Sequence, residues 1–189
     1  MKAVLMSIQP KWCELIASGK KTVEVRKTKP KLETPFKCYI YCTNGDSLNY
    51  LRHSYFDNYQ KFWVDNKAFG ANVARANGKI IGEFVCDKIT EYECSSDGFG
   101  ELATTCGTCL TYDEIINYCN GNSLYAWHIS DLVIYDEPKE LEEFEPYCNG
   151  ECTGCKYLEW IEWYHSDTCM RPRLKKPPQS WRYVDEITK

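Results

Sequence analysis

No apolar run in this chain approaches the roughly 20 residues that a helix needs to span a bilayer, so no segment reads as membrane-crossing. The opening stretch, MKAVLMSIQPKW, lacks an extended apolar region and is interrupted by Pro10, so it does not read as a secretory leader. Internal repeats and low-complexity tracts are also missing, and nothing in the composition suggests long disorder. These absences predict a cytoplasmic protein. They bear on the 12 cysteines too. Without an export signal a disulfide framework is a poor reading, and metal binding or core filling takes its place. What is present is a chain of 189 residues, 43% hydrophobic, enough for one domain with a real core.

The net charge of −4 conceals an asymmetry. Residues 1–37 hold nine lysines and arginines against three glutamates, and residues 171–182 (RPRLKKPPQSWR) hold five against no acid. The stretch between them, 38–170, carries a net −14. If the two ends fold together, they make one basic face on an acidic body. Such a face suits a phosphate-bearing partner, the plainer alternative being ordinary solvated lysines.

Residues 2–8 (KAVLMSI) read as a buried strand. Pro10 suits the first position of a helix, Trp12, Leu15 and Ile16 give it an apolar face, and Gly19 closes it. Residues 22–26 (TVEVR) alternate, which sends Val23 and Val25 to one face and Thr22, Glu24 and Arg26 to the other. Further strands are expected at 38–42, at 80–90 with a bulge or close backbone approach at Gly82, at 124–135 and at 180–184. Thr111 and Glu114 form a capping box for a helix ending at Asn120–Gly121. Residues 43–78 and 147–176 read as insertions, the first with a helix near 57–65. Short strands without regular βαβ alternation predict an α+β fold, a small mixed or antiparallel β-barrel with two or more helices, making one domain over 1–189.

The segment GKKTVEVR, residues 19–26, carries the most chemistry. Gly19 permits a sharp turn, Lys21 falls in that turn, and Glu24 and Arg26 share a strand face. An ammonium, a carboxylate and a guanidinium thus come within about one strand length. Lys21 and Arg26 can hold a phosphate, and Glu24 can pair with either, position a water or accept a base-edge N–H. A cross-strand ion-pair cluster is the structural alternative.

The spacing G-x-K-x-x-E-x-R, together with the stretches SIQPKWCELIASGKKTVEVRK, GKIIGEFVCDKI, YAWHISDLVIYDEPKEL and PPQSWRYV, resembles the ASCH domain family. The resemblance covers most of the chain outside the two insertions. It implies a PUA-like β-barrel with a cleft beside the motif for RNA or a nucleotide, and a setting among phage-derived genes. Some members are amidohydrolases acting on N4-acetylcytidine, with a Lys and, three positions on, a Thr nucleophile. Lys21 matches here, but Glu24 stands where that Thr is expected, and Thr22 is only near. Others resemble ribonucleases, for which Glu24 would act as base and Lys21 or Arg26 would stabilise phosphorane charge. The expected ligand contacts are Ser7, Gly19, Lys21, Glu24, Arg26, Lys27, Trp127, His128 and Trp181. Lys21 and Glu24 are the catalytic pair if the protein is an enzyme. Trp127 and His128 adjoin on a strand, so one faces the cleft and the other the core, and Trp127 or Trp181 stacks on a base or simply packs.

Cys148, Cys152, Cys155 and Cys169 lie within 22 residues and include a C-x-x-C knuckle. They suggest a structural zinc site ordering the second insertion, which could also dock a protein partner. Cys106 and Cys109 offer a rival knuckle, His165 a rival to Cys169, and an iron–sulfur cluster or unliganded thiols are further readings. Cys13, Cys38, Cys42 and Cys86 sit in apolar contexts and read as core.

Overall fold

A strand covered on both faces has no polar side to present, and the first strand of this protein follows that rule. In β1 (Lys2–Ile8), Ala3 and Leu5 enter one apolar cluster while Val4, Met6 and Ile8 enter another. β3 (Phe36–Cys42) divides its residues the same way, with Tyr39 and Tyr41 on one side and Cys38, Ile40 and Cys42 on the other. The computed structural model describes residues 1–44, 76–150 and 171–187 in full, and residues 63–66 and 71–74 as backbone.

The remaining elements follow in chain order. They are α1 (Pro10–Ala17) and β2 (Val23–Arg26), which precede β3, then β4 (Trp63–Asn66), β5 (Ala71–Ala74), β6 (Ile80–Tyr92), α2 (Ser96–Thr104), α3 (Tyr112–Cys119), β7 (Leu124–Lys139) and β8 (Trp181–Asp185). A 3-10 turn at Leu141–Glu143 follows β7. Six strands form one sheet in the order β2-β7-β6-β3-β1-β8, and β4 pairs with β5 as a separate hairpin. β1 and β3 run parallel, while the other pairings are antiparallel. The mixed α+β class therefore holds.

Laid flat, six strands at about 4.8 Å spacing would put β2 and β8 roughly 24 Å apart. Yet the Trp181 indole N–H donates to Thr28 Oγ1 at 2.9 Å, and Arg26 Nη1 reaches Ser180 Oγ at 3.5 Å. The sheet therefore curls far enough for side chains beside its two edge strands to touch. Among the described residues side chains span this seam, and the backbone ladder does not run from β8 to β2.

Several local expectations hold for visible reasons. Pro10 opens α1, and Gly19, at φ 73°, turns the chain out of it. The Thr111–Glu114 capping box is complete, and Asn120 closes α3 in the left-handed conformation. A Cβ at Gly82 would lie 2.4 Å from the Val133 carbonyl oxygen, so the close backbone approach read from the sequence is real. Cys13, Cys38, Cys42 and Cys86 are all buried core. Burial pushes the thiols of Cys13 and Cys38 well up and that of Cys86 to about 12, so they fill space rather than react.

Other expectations change. Residues 63–66 are extended in β4, so a helix near 57–65 does not run through them, and 57–62 lie outside the described residues. The helix α2 was not read from the sequence, because SDGFGELAT carries two poor helix formers. Packing decides there: Phe99 and Leu102 are buried, and Ser95 caps the first turn by accepting from the Gly98 amide. β7 is a single 16-residue strand that absorbs Asp131 at φ 46° and several register shifts against β6. Among the described residues no helix is long and apolar enough to cross a membrane.

The capping box yields a pH test. The Thr111 amide, with Lys11 3.3 Å away, holds the Glu114 carboxyl below its ordinary value. A carboxylate lowered on folding stabilises above its unfolded pKa and loses that contribution as pH falls through the folded one. Wild type should therefore exceed Glu114→Gln in stability at neutral pH, with the gap closing in denaturant titrations at progressively lower pH. A gap that widened toward acid would contradict the assignment.

Candidate functional site

The turn between α1 and β2 brings the charged residues of the 19–26 segment together. Gly19 reverses the chain, and the Lys21 amide then donates back to the Leu15 carbonyl at 2.9 Å, which fixes Lys21 just before β2 begins. Within β2 the alternation divides the side chains. Val23 and Val25 join the cluster formed with α2 and α3, and Glu24 and Arg26 point to the other face. The result is a line of three charged side chains that are nearly dry: Lys21 is 2% exposed, Glu24 6% and Arg26 7%.

Glu24 sits between its two partners. Its Oε1 accepts from Arg26 Nη2 at 2.9 Å, and its Oε2 lies 3.5 Å from Lys21 Nζ. Lys21 Nζ also donates to the Thr108 carbonyl at 2.6 Å, and Arg26 Nη2 to the Ser7 carbonyl at 2.6 Å. The Arg26 Nε–H is buried and has no hydrogen-bond partner among the described residues.

The loop 106–109 clamps the turn. Gly107 contributes its carbonyl to the amides of both Thr22 (2.9 Å) and Val23 (3.1 Å), and Cys109 Sγ lies 3.4 Å from the Lys20 carbonyl. Gly107 has φ 89°, and a Cβ there would fall 2.0 Å from Thr22 Oγ1, so glycine is required for the loop to lie this close.

Beside the triad opens a cleft of about 650 Å³ lined by the end of β1, the start of α1, β2, α3 and the segment before β8. Ser7, Lys21, Glu24 and Arg26 line it, as does Ser180. Trp12 and Tyr118 supply aromatic wall, and Lys11 pairs with Glu114 at 3.3 Å across it. Lys11 Nζ lies 4.0 Å and Lys21 Nζ 5.0 Å from the Trp12 ring centre. Burial pushes the Tyr118 phenol above its ordinary value, so it stays neutral. The charged lining is Lys11, Lys21 and Arg26 against Glu24 and Glu114, a surplus of one positive charge.

The other sequence candidates fall elsewhere. Trp127 is fully buried and packs edge-on against Phe36 and tilted against Trp181. His128, on the opposite strand face beside Val23, is half-buried and does not line the cleft. Trp181 packs edge-to-face with Tyr183 and is tied to Thr28 across the sheet seam. Gly19 shapes the turn without lining the cleft, and Lys27 stands at its edge with Nζ 4.9 Å from the Tyr118 ring centre. Thr22 is exposed and faces the 106–109 loop.

Sequence reading missed Thr108, Ser180, Tyr118 and the cleft role of Trp12. Glu114, Asn117 and Tyr118 recur at helical spacing on α3, a stripe that pointed to one shared surface. A backbone carbonyl acceptor such as that of Thr108 leaves no sequence signal. Cys148 is a free, half-buried thiol, whereas Cys152, Cys155, Cys169 and the rival His165 lie outside the described residues. Cys106 and Cys109 are exposed and free, and among the described residues no group of three or more candidate ligands converges on a metal position.

The triad makes a stability prediction. Glu24→Gln leaves Lys21 and Arg26 buried without a counter-charge and should cost about 3–5 kcal/mol in chemical denaturation. Replacing all three charges by Lys21→Met, Glu24→Leu and Arg26→Met should cost less than Glu24→Gln alone. A Glu24→Gln loss below about 1 kcal/mol would show that the triad is better hydrated than its geometry implies.

The model of the ASCH domain matches residues 6–184. Among solved structures, an ASCH protein from Zymomonas mobilis is 16% identical, covering 97% of this chain and 88% of its own, at a TM-score of 0.49. A tyrosine-to-phenylalanine variant of that protein gives 16% identity, 98% and 92% coverage and 0.49. The chain matches no curated protein.

Proposed function

This chain belongs to the ASCH domain family, and on that premise we propose that its cleft binds the phosphate-bearing end of an RNA or a free nucleotide. ASCH domains are generally linked to RNA binding. The observation that carries the reading is the cationic character of the cleft: among the described lining residues Lys11, Lys21 and Arg26 outnumber Glu24 and Glu114 by one positive charge. An anionic oxygen balances that charge, in surroundings where charge-assisted hydrogen bonds are strong. Trp12 and Tyr118 offer ring surface to a base beside it.

The alternative is a hydrolase acting on a modified nucleoside or on RNA, through Lys21 and Glu24. Binding is favoured over it because both Glu24 oxygens are already engaged by cations, so a proton-abstracting role requires breaking an ion pair. The amidohydrolase form also lacks its nucleophile, since Glu24 occupies that position and Thr22 faces away from the cleft lining.

Titration with uridine 5′-monophosphate and with a short oligoribonucleotide, followed by tryptophan fluorescence, should give affinities that fall as salt rises. Arg26→Lys keeps the charge but loses the planar fork, and should weaken binding about tenfold with the fold intact. Binding indifferent to salt and to Arg26→Lys would sink the proposal, as would no binding at all.

For the second insertion the proposal is a structural zinc held by Cys148, Cys152, Cys155 and Cys169, supported by their spacing alone. Metal analysis of the purified protein should find about one zinc per chain, lost in Cys152→Ser/Cys155→Ser. A metal-free protein that remains folded would refute it.

A further inference from the structure

The described cysteines divide by exposure. Cys13, Cys38, Cys42, Cys86 and Cys119 are buried, whereas Cys106 and Cys109 are exposed at the two ends of the loop that clamps the 19–26 turn. An exposed thiol gains little from packing, and two of them at the spacing C-x-x-C make the arrangement of a redox-active dithiol. Between them Thr108 turns inward and is 1% exposed.

What this loop holds is the turn that carries Lys21. Thr108 supplies the carbonyl to which Lys21 Nζ donates at 2.6 Å, and Gly107 the carbonyl for the Thr22 and Val23 amides at 2.9 and 3.1 Å. Cys109 takes part directly, its S–H donating to the Lys20 carbonyl at 3.4 Å. Gly107, Thr108 and Cys109 thus grip residues 20–23 one after another. Cys109 has φ 56°, and an L residue keeps that left-handed conformation only while its surroundings hold it there.

The two thiols are within reach of each other. Three extended residues span roughly 10 Å, and a disulfide needs its Cα atoms within about 7 Å. The Thr108 amide already bonds back to the Thr105 carbonyl at 3.4 Å, so the chain is turned rather than extended here and only a local tightening is needed. Oxidation then has two consequences for the clamp. The Cys109 sulfur loses its hydrogen, and with it the bond to the Lys20 carbonyl. Drawing the two Cβ atoms to about 3.8 Å also rotates the peptide units between them, which carry the carbonyls used by Lys21, Thr22 and Val23.

We propose that Cys106 and Cys109 form a redox-active dithiol that reacts with a low-molecular-weight disulfide such as oxidised glutathione, and that the bond formed releases the turn carrying Lys21. The Cys106 thiolate attacks the sulfur–sulfur bond of the oxidant, forming a mixed disulfide and expelling one thiolate. The Cys109 thiolate then attacks the Cys106 sulfur, closing the bond across the loop and expelling the second. The two cysteines lose two protons and two electrons; the electrons reduce the oxidant's disulfide and the protons go to its two released thiols. Cys106 takes the first attack because the Cys109 S–H is engaged with the Lys20 carbonyl. Where thiols are kept reduced, such a bond is transient and redox-sensing. The site acts on the protein's own turn and does not depend on what the cleft binds.

The full chain and the variants Cys109→Ser and Cys106→Ser/Cys109→Ser are treated with oxidised glutathione, free thiols are capped, and disulfides are located by peptide mass mapping. Serine keeps a donor for the Lys20 carbonyl and both positions are exposed, so the variants should fold, and circular dichroism checks it. Wild type should show a Cys106–Cys109 bond, and Cys109→Ser should stop at the mixed disulfide on Cys106. Amide exchange followed by NMR reads the turn: in oxidised wild type Thr22 and Val23 should exchange at least about tenfold faster than in the reduced protein. The double variant, treated alike, should keep the slow rates, and dithiothreitol should restore them in wild type.

Treatment that leaves both thiols free, or that pairs Cys106 with Cys94, would overturn the dithiol. Zinc in the purified protein that the double variant lacks would make the pair a metal knuckle and overturn it as well. A Cys106–Cys109 bond that forms while Thr22 and Val23 keep their slow exchange would overturn the release of the turn.

Discussion

Two cations held out of water must find acceptors, and that demand organises the neighbourhood of the cleft. Lys21 and Arg26 share one carboxylate, Glu24, which leaves most of their donors to be satisfied elsewhere. The acceptors come from distant parts of the chain: the carbonyl of Ser7 at the end of β1, the carbonyl of Thr108 in the loop before α3, and the hydroxyl of Ser180 just before β8. The ties to Ser7 and Ser180 link β2 to strands that are not its neighbours in the sheet, and the tie to Thr108 adds to the backbone bonds from Thr22 and Val23 to Gly107. Because an unpaired buried charge is far more costly than a paired one, loss of any tie is felt across all of them.

The same arrangement sets what the cleft can do. Its charges are already in place, held by hydrogen bonds rather than by mobile side chains, so little ordering cost attaches to an incoming anion. Full pairing also limits it: Glu24 is committed to two cations and cannot serve as a free base without disrupting the site. The residual electrostatic capacity of the described lining is one surplus positive charge. Beyond the mouth, the curl of the sheet carries the two basic chain ends to one seam, so charges far apart in sequence act on one surface.

Much of this was legible in the sequence because it obeys local rules. The alternation of TVEVR separated Val23 and Val25 from Glu24 and Arg26, and the structure keeps that division. The capping box and the core placement of four cysteines followed from short-range pattern as well. Where two aromatic residues competed for the cleft, local pattern was silent. Trp12 read as part of the apolar face of α1, and it both packs on the core and lines the cleft; Trp127 read as either a stacking surface or packing, and it is sealed in the core. Their exposure depends on which other strands and helices cover them, and periodicity within one element carries no such information. Helix α2 was missed for a related reason, since two glycines lower its intrinsic propensity and only packing of Phe99 and Leu102 restores it.

By itself, then, the amino-acid sequence determined that Lys21, Glu24 and Arg26 lie within one turn and strand, and the family to which the chain belongs. Spacing along the backbone is a property of the chain and survives any packing. Tertiary structure decided that the three charges are buried, that Thr108, Ser7 and Ser180 satisfy them, and that the two basic ends lie together. Those outcomes depend on contacts between residues more than 150 positions apart, 171 in the case of Ser7 and Pro178. They arise from the curl of the sheet and the desolvation it imposes, which no local pattern of residues encodes.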